Sequence, residues 1–260
     1  MIELKIALIT GASSGMGREF ARQIPRLYKA LDEIWVVARR TERLKELQEE
    51  LPMTVRVFDG DLTQDHIYEK IEKSLVENRA KVCMLVNAAG YGVMGNVEEN
   101  DIDEQVGMID MNCRALTRMT LLCLPYVVKG SRIINLASAA AFSPQPGFSI
   151  YAASKSYVYS FSLSLEAELE DRGIHVTVVC PGPVQTEFFK RAGELPGGIK
   201  NTIKADADQV VYQALMDSAK KKSVSVYGKS MKVARFAAKL LPHKWIARIM
   251  KLINDKGSKE

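Results

Sequence analysis

The chain has 260 residues, of which 47% are hydrophobic and 26% are charged, and its formal net charge is +5 at pH 7. This composition is ordinary for a folded globular protein and argues against a largely disordered chain. The four cysteines form no C-x-x-C pair, so neither a metal site nor a redox dithiol is predicted, and scattered reduced thiols suit the cytoplasm.

Seven short runs rich in β-branched residues alternate with helical patterns. The predicted strands are Leu4–Thr10, Ile34–Ala38, Thr54–Phe58, Val82–Asn87, Arg132–Ala137, His175–Cys180 and Ser223–Tyr227. The predicted helices include Thr41–Glu50, Asp65–Asn78, Gln105–Tyr126 and Tyr151–Asp171. Strands that alternate with helices indicate an α/β fold, here a Rossmann-type doubly wound parallel sheet of about seven strands with helices on both faces.

The segment at the start of the chain predicts a first strand, because it carries Glu3 and leads directly into a glycine-rich loop. A signal peptide would instead be followed by a small-residue cleavage site. No apolar run is long enough to span a bilayer. We therefore expect a cytoplasmic protein.

The glycine-rich loop, T-G-A-S-S-G-M-G at 10–17, fits two motifs. One is the G-x-S-x-G elbow of a hydrolase, with Ser13 as nucleophile. That mechanism needs a later acid and histidine, and none of the three histidines, His66, His175 and His243, follows a strand end beside an acid. The other is a phosphate-binding loop at a helix N-terminus, which we favour over a tight turn without a ligand.

The second strand predicts which dinucleotide the loop binds. An acid after this strand suits the ribose of NAD, and an arginine suits the 2′-phosphate of NADP. Here Arg39 and Arg40 follow the strand and no acid does. We therefore predict that Arg39 and Ser13 bind a 2′-phosphate and that NADP(H) is preferred over NAD(H). The alternative is that both arginines are solvated charges at the start of a helix.

Further polar residues follow the later strands, where ligands bind in open parallel sheets. They include Ser138 after the fifth strand, and Tyr151 and Lys155, which are four residues apart on one helix face. Each has an ordinary alternative: Tyr151 a packing tyrosine, Lys155 a solvated charge, Ser138 a helix cap. Asn112 could similarly bridge buried backbone groups.

Taken together these motifs resemble the short-chain dehydrogenase/reductase family over roughly residues 4 to 190. The matching residues are 10–17, Asp61-Leu62, N-A-A-G at 87–90, Asn112, Ser138, Tyr151 with Lys155, and P-G-P-V-Q-T at 181–186. The resemblance implies hydride transfer between a nicotinamide and a carbonyl or alcohol carbon. It makes Tyr151 the acid in reduction or the base in oxidation, with its pKa lowered by two nearby positive charges, the Lys155 ammonium and the nicotinamide ring. Ser138 would hold the substrate oxygen, and Asn112 a proton-relaying water.

The same resemblance implies a set of cofactor contacts. They are Gly11, Ser13, Ser14, Gly15, Met16, Gly17, Arg39, Asp61, Leu62, Asn87, Ala88, Gly90, Tyr151, Lys155, Pro181, Gly182, Val184 and Thr186. The family also implies a homodimer or homotetramer. The rival hypothesis is a non-catalytic NADP(H)-binding or sensing protein on the same fold.

The substrate pocket is expected between the Ser138–Tyr151 segment and the loop after Thr186. Its predicted lining is Ala140, Phe142, Gln145, Phe148, Phe188 and Phe189, with Tyr91, Val93 and Met94 nearby. Aromatic and methionine side chains favour an apolar, lipid-like or steroid-like ketone, although ordinary packing would explain them equally well. No nucleic-acid partner is predicted.

The C-terminal part differs from the rest in charge. From residue 220 onward ten Lys and two Arg face one Asp and one Glu, which gives +10 and leaves −5 for the remainder. We predict one catalytic domain over 1–228, with a substrate loop near 187–205, and a basic amphipathic extension over 229–260. That extension could touch an anionic membrane, or its helices could pack on the substrate side or on a partner subunit.

Overall fold

A computed structural model describes residues 3–193 and 205–257. Its centre is one parallel sheet with the strand order β3-β2-β1-β4-β5-β6-β7. The strands are β1 Leu4–Thr10, β2 Glu33–Ala38, β3 Thr54–Asp59, β4 Ala80–Asn87, β5 Val127–Leu136, β6 His175–Val179 and β7 Val224–Ser225. The predicted seven-stranded, Rossmann-type parallel sheet is confirmed.

Helices cover both faces of the sheet. They are α1 Gly15–Leu27, α2 Thr41–Glu50, α3 Asp65–Glu77, α4 Ile102–Ile109, α5 Leu116–Cys123, α6 Ser149–Leu169, α7 Phe188–Ala192, α8 Ala207–Ala219, α9 Lys229–Leu240 and α10 His243–Gly257. Alternate residues of β1 enter opposite cores, Ile6 and Leu8 on one face and Ala7 and Ile9 on the other. Because both faces are covered, the strands are apolar along nearly their whole length.

Two predicted elements differ from the structure. The helix predicted over Gln105–Tyr126 is interrupted by a π-helical segment, Asp110–Ala115, which lies between α4 and α5. The wider π-helical turn carries the buried side chain of Asn112, whose amide binds the backbone of Tyr91. The strand predicted at Ser223–Tyr227 shrinks to the two residues of β7, which pair only with the end of β6.

The proposed substrate loop is only partly described. Residues 187–193 contain the short helix α7, and Ala205 forms a bridge with Val184. Residues 194–204 of the predicted loop lie outside the described residues. Within 3–193 and 205–257 no helix is both long and apolar enough to cross a membrane.

Candidate active site

A cavity of about 890 Å³ lies where the strands end at their carboxyl termini. It brings together most of the predicted site residues: Gly11, Ser13, Ser14, Gly15, Met16, Gly17, Arg39, Leu62, Ala88, Gly90, Ser138, Tyr151, Lys155, Pro181, Gly182, Val184 and Thr186. It also holds eight of the nine predicted substrate-side residues, the exception being Val93. Three predicted site residues, Asp61, Asn87 and Asn112, do not line it.

The glycine loop forms the polar end of this cavity. Gly11 has a φ of +70°, and a Cβ atom there would lie 2.7 Å from the backbone nitrogen of Ala89. Glycine is therefore required by both its conformation and its surroundings. Ser13 and Ser14 follow, and α1 begins at Gly15. The N–H groups of the first helical turn and the two hydroxyls are donors suited to a phosphate, so this loop fits a dinucleotide.

The two arginines after β2 differ in their partners. Arg39 reaches Asp61, with 3.6 Å between Nη1 and Oδ2. Arg40 donates from Nε and Nη2 to Ser13 Oγ, both at 3.1 Å, and from Nη2 to Ser14 Oγ. The role predicted for Arg39, binding the same phosphate as Ser13, stays a prediction; in the structure it is the Arg40 side chain that turns back over the loop and reaches Ser13.

Two further charged residues near this loop, Arg43 and Glu187, were not predicted from the sequence. Arg43 lies in the first turn of α2. Its Nη1 and the Nη1 of Arg40 both donate to Glu187 Oε2, at 2.8 and 2.9 Å. The three-residue spacing of Arg40 and Arg43 could have predicted that they share a face. Nothing in the sequence pairs them with Glu187, which is 144 residues beyond Arg43.

Tyr151 and Lys155 lie side by side on α6, both buried. The Lys155 Nζ is 5.7 Å from the centroid of the Tyr151 ring and donates to the Leu136 carbonyl oxygen at 2.8 Å. Burial lowers the pKa of Lys155 to about 8. Burial also raises the pKa of Tyr151 to about 12, although a hydrogen bond from the Ser138 hydroxyl opposes that rise.

The lowered Tyr151 pKa expected from the sequence depends on positive charge from Lys155 and from a bound nicotinamide together, and it stays a prediction. In the protein by itself the cost of burying a phenolate is the larger effect and raises this pKa. A buried Tyr151 therefore keeps its proton at neutral pH. Such a neutral phenol can donate a hydrogen bond or a proton to an oxygen in the cavity.

The three predicted residues outside the cavity support its walls. Asn112 accepts from the Tyr91 N–H at 3.0 Å and donates to the Tyr91 carbonyl oxygen at 2.9 Å, so it bridges buried backbone groups. Asn87 donates to Thr120 and Asn135 inside the sheet. Asp61 accepts from Thr63 and pairs with Arg39. Asn87 Oδ1 is buried without a hydrogen-bond partner and the Asp61 side chain is one-third exposed, so the cofactor contacts expected for these two residues stay predictions.

The other end of the cavity is apolar. The Phe148 ring stacks on Tyr151 with 4.2 Å between centroids, and Phe188 is tilted against Tyr151 at 5.4 Å. A group of side chains from α9 and α10 that we call the roof closes this end. The roof consists of Met231, Ala234, Ala237, Ala238, Leu241, Ile246 and Met250.

The roof was not predicted residue by residue. Val233, Phe236, Ala237 and Leu240 recur at helical spacing, which predicts that they share one apolar face of a helix. In the structure Ala237 faces the cavity, whereas Val233, Phe236 and Leu240 are 67%, 66% and 68% exposed. The three large side chains therefore point away from the site, and α9 approaches the cavity through its alanines.

Comparison with known proteins agrees with this fold and site. Residues 5–195 match the family model described as short chain dehydrogenase. Sulfoacetaldehyde reductase 2 of Chromohalobacter salexigens is 38% identical over 189 residues, which cover 70% of this chain and 74% of that protein. The solved structure of a short-chain dehydrogenase from Sphingobium yanoikuyae in complex with NADPH is 28% identical with a TM-score of 0.76, covering 91% of this chain and 94% of that one.

A third similar protein is the bulky-bulky ketone specific alcohol dehydrogenase from Comamonas testosteroni, at 27% identity and a TM-score of 0.73 over 92% of this chain and 93% of its own. A dinucleotide-type loop, a buried tyrosine–lysine pair and a parallel sheet define an oxidoreductase of the Rossmann class. The chain belongs to the short-chain dehydrogenase/reductase family, whose members are oxidoreductases.

Proposed function

We propose that this protein is an NADPH-dependent reductase of apolar ketones. The observation that carries the proposal is one cavity with an arginine-lined glycine loop at one end, the Ser138–Tyr151–Lys155 group in its middle and an aromatic, methionine-containing end. The NADPH complex of the Sphingobium relative supports the choice of cofactor. Arg40 beside Ser13, and Arg43, which shares the Glu187 carboxylate with Arg40, provide planar donors of the kind that bind a 2′-phosphate well.

In this proposal the cofactor supplies a hydride to the carbonyl carbon. Ser138 and Tyr151 hold the carbonyl oxygen by hydrogen bonds, and the Tyr151 hydroxyl gives that oxygen its proton. The raised pKa of Tyr151 keeps this proton in place until negative charge develops on the substrate oxygen. Lys155 binds the nicotinamide ribose hydroxyls, and its ammonium stabilises the phenolate that remains.

The remaining predicted residues have supporting roles. A side chain at Gly90 would displace Asn112 or Lys155, because a Cβ atom there would lie 2.8 Å from Asn112 Oδ1 and 3.3 Å from Lys155 Nζ. Asn112 holds the Tyr91 backbone beside this glycine and, in the proposal, a water that returns a proton to Tyr151. Asp61 positions Arg39 near the adenine, and Asn87 fixes the end of β4.

The preference for an apolar substrate follows from the aromatic side chains around Tyr151 and from the aliphatic roof. The two named relatives point in opposite directions, since sulfoacetaldehyde is small and anionic whereas a bulky-bulky ketone is large. Arg191, which lies over the Tyr91 ring at 3.5 Å, pairs with Glu104. This pairing reduces its availability for an anionic substrate.

The test is NADPH oxidation by the purified protein with two sets of carbonyl compounds. One set holds oxo-steroids and 3-oxoacyl thioesters, and the other holds sulfoacetaldehyde, short sugars and keto acids. We expect kcat/KM to be at least about tenfold higher for the apolar set, about 1.4 kcal/mol. Turnover of the polar set alone would refute the substrate class. Binding of NADPH without turnover of either would favour a sensing protein.

We also propose a cytoplasmic homodimer or homotetramer. Exposed apolar side chains on α4 and α5 support a contact between copies: Ile102, Val106, Ile109 and Leu121. Burying them against a second copy would remove apolar surface from water. Sedimentation velocity should give an assembled particle for the native chain and a smaller one for Leu121→Asp. A monomeric native protein at micromolar concentration would exclude this assembly.

Finally, we propose that residues 1–228 form the catalytic unit and that the extension 229–260 binds an anionic membrane peripherally. Phe236, Leu240, Trp245, Ile249 and Leu252 are exposed, and lysines and arginines occur throughout α9 and α10. Exposed apolar and basic side chains on one helix suit an interface with anionic lipid. In flotation with phosphatidylglycerol vesicles the native protein should float and Phe236→Ser/Trp245→Ser should not. Equal flotation of both would remove the membrane contact.

A further inference from the structure

A carboxylate lies at the rim of the glycine loop, where a cofactor phosphate is expected. Glu187 Oε2 accepts from Arg43 Nη1 at 2.8 Å and from Arg40 Nη1 at 2.9 Å. These two hydrogen bonds lower the pKa of Glu187 to about 2, so its side chain is ionised at neutral pH. One negative charge is therefore held by two guanidinium groups.

Arg40 connects this ion pair to the loop itself. Its Nη1 faces Glu187, while its Nε and Nη2 face Ser13 and Ser14 immediately before α1. A guanidinium has five N–H donors in a fixed plane, so an anion near Ser13 and the Glu187 carboxylate draw on the same small set. Arg39 belongs to a different pair, with Asp61.

We propose that Glu187 is an internal competitor of the cofactor 2′-phosphate for Arg40 and Arg43. This proposal rests on the proposed use of NADPH. A 2′-phosphate carries about −1.5 to −2 charges and three acceptor oxygens, whereas Glu187 carries one charge. The phosphate therefore displaces the carboxylate, and the cost of breaking the two ion pairs lowers the affinity for NADPH. NADH has no 2′-phosphate and leaves Glu187 in place.

Displacement of Glu187 acts on the substrate side, because the next residue is Phe188. The Phe188 ring is 5.4 Å from Tyr151, and its N–H binds Thr186 Oγ1 at 3.3 Å. Glu187, which competes with the 2′-phosphate, and Phe188, whose ring contacts the predicted acid Tyr151, are therefore adjacent in the chain. The dinucleotide bound thus determines how the N-terminus of α7 is held.

The first test is cofactor binding by titration calorimetry with the full chain and Glu187→Gln. We expect the NADPH dissociation constant to fall about 3- to 10-fold in the variant, because two partly exposed ion pairs no longer oppose binding. The NADH constant should change less than twofold. Glu42→Gln removes an equal charge from α2, at a side chain paired with Lys45, and should leave both constants unchanged.

The outcomes separate this proposal from the proposed function. Weaker or unchanged NADPH binding in Glu187→Gln, with tight binding by the native protein, would overturn the competition and leave the reductase intact. If the native protein bound NADPH no better than NADH, the proposed preference for NADPH would itself be wrong, and the competition that rests on it would fail with it. Adenosine 2′,5′-bisphosphate should repeat the NADPH result, and ADP should repeat the NADH result.

A second measurement tests the connection to Phe188. In the native protein the ketone KM should differ between NADPH and NADH by at least about twofold, and in Glu187→Gln this difference should vanish. A difference of the same size in the variant would show that the substrate side does not respond to Glu187.

Discussion

The glycine-loop wall and the roof enclose the same cavity but are built differently. The wall consists of strand ends and backbone, where Gly11 lies against the backbone of Ala89 so closely that a Cβ atom cannot be added. The roof consists of side chains on two helices, and α9 has no buried residue. Its helices are attached by hydrogen bonds that include Asn254 to the Pro146 carbonyl and Arg235 to Tyr159.

Under the proposed function, the glycine-loop wall holds the groups that take part in the reaction, and the roof contacts the substrate. Groups that bind a cofactor and move a proton must be held to within fractions of an ångström, and the sheet and its glycines provide this rigidity. The alanine, leucine, isoleucine and methionine side chains of the roof can be exchanged with little effect on the sheet, because they belong to helices outside it. This agrees with the names of two relatives, a sulfoacetaldehyde reductase and a bulky-bulky ketone specific alcohol dehydrogenase, which share this family's fold and differ in substrate.

The largest effect is expected at the boundary between these regions, for Tyr151→Phe. Loss of the hydroxyl removes the proton donor, so kcat for ketone reduction should fall about 10³-fold. The ring contacts with Phe148 and Phe188 remain, and the NADPH dissociation constant should stay within about twofold. Stopped-flow reduction and fluorescence titration measure the two quantities. A variant that retains a tenth of the native rate would exclude Tyr151 as the acid.

The second effect tests the rigidity of the glycine-loop wall by comparing alanine substitutions at two glycines that both have a positive φ. Gly11→Ala combines a φ of +70° with a backbone clash, whereas Gly130→Ala has a φ of +89° and no atom within 4 Å of the added Cβ. We expect the free energy of unfolding to fall by about 2–5 kcal/mol for Gly11→Ala and by about 1–2 kcal/mol for Gly130→Ala. Urea denaturation measures both, and equal losses would contradict the steric argument.

The third effect is a pH dependence of cofactor binding through Lys155. Its pKa is lowered to about 8, so the ammonium exists below this pH and is lost as the pH rises through it. The NADPH dissociation constant should therefore increase about tenfold between pH 7 and 9.5, as charged hydrogen bonds to the ribose are lost. Lys155→Met should bind weakly at both pH values. A native constant that stays flat would place the pKa of Lys155 outside this window.

The smallest effect is expected on the outer surface of the roof helices. Phe236→Ser should change the free energy of unfolding by less than about 0.5 kcal/mol, because the side chain is 66% exposed. Phe20→Ala, fully buried under the sheet, should cost about 3–5 kcal/mol and serves as the control. A large loss for Phe236→Ser would mean that its apolar face belongs to the fold and is not an external surface.

The sheet, the glycine loop and the residues that follow each strand could be predicted from the amino-acid sequence. Strand alternation and glycine spacing are local properties, and the carboxyl ends of parallel strands meet at one edge, so residues such as Ser138 and Lys155 could be placed without coordinates. The four-residue spacing of Tyr151 and Lys155 similarly fixed their common helix face.

The partners of long side chains and the energetic cost of burying polar groups could not be predicted, because both depend on the folded packing. Arg40 rather than Arg39 turns over Ser13, and Glu187 meets Arg43 across 144 residues of chain, because such contacts depend on how distant segments pack. The pKa of Tyr151 rises because its packed neighbours, among them Phe148 and Phe188, exclude water from its hydroxyl. Which face of α9 covers the cavity depends equally on packing, since both its alanines and its larger apolar residues recur at helical spacing.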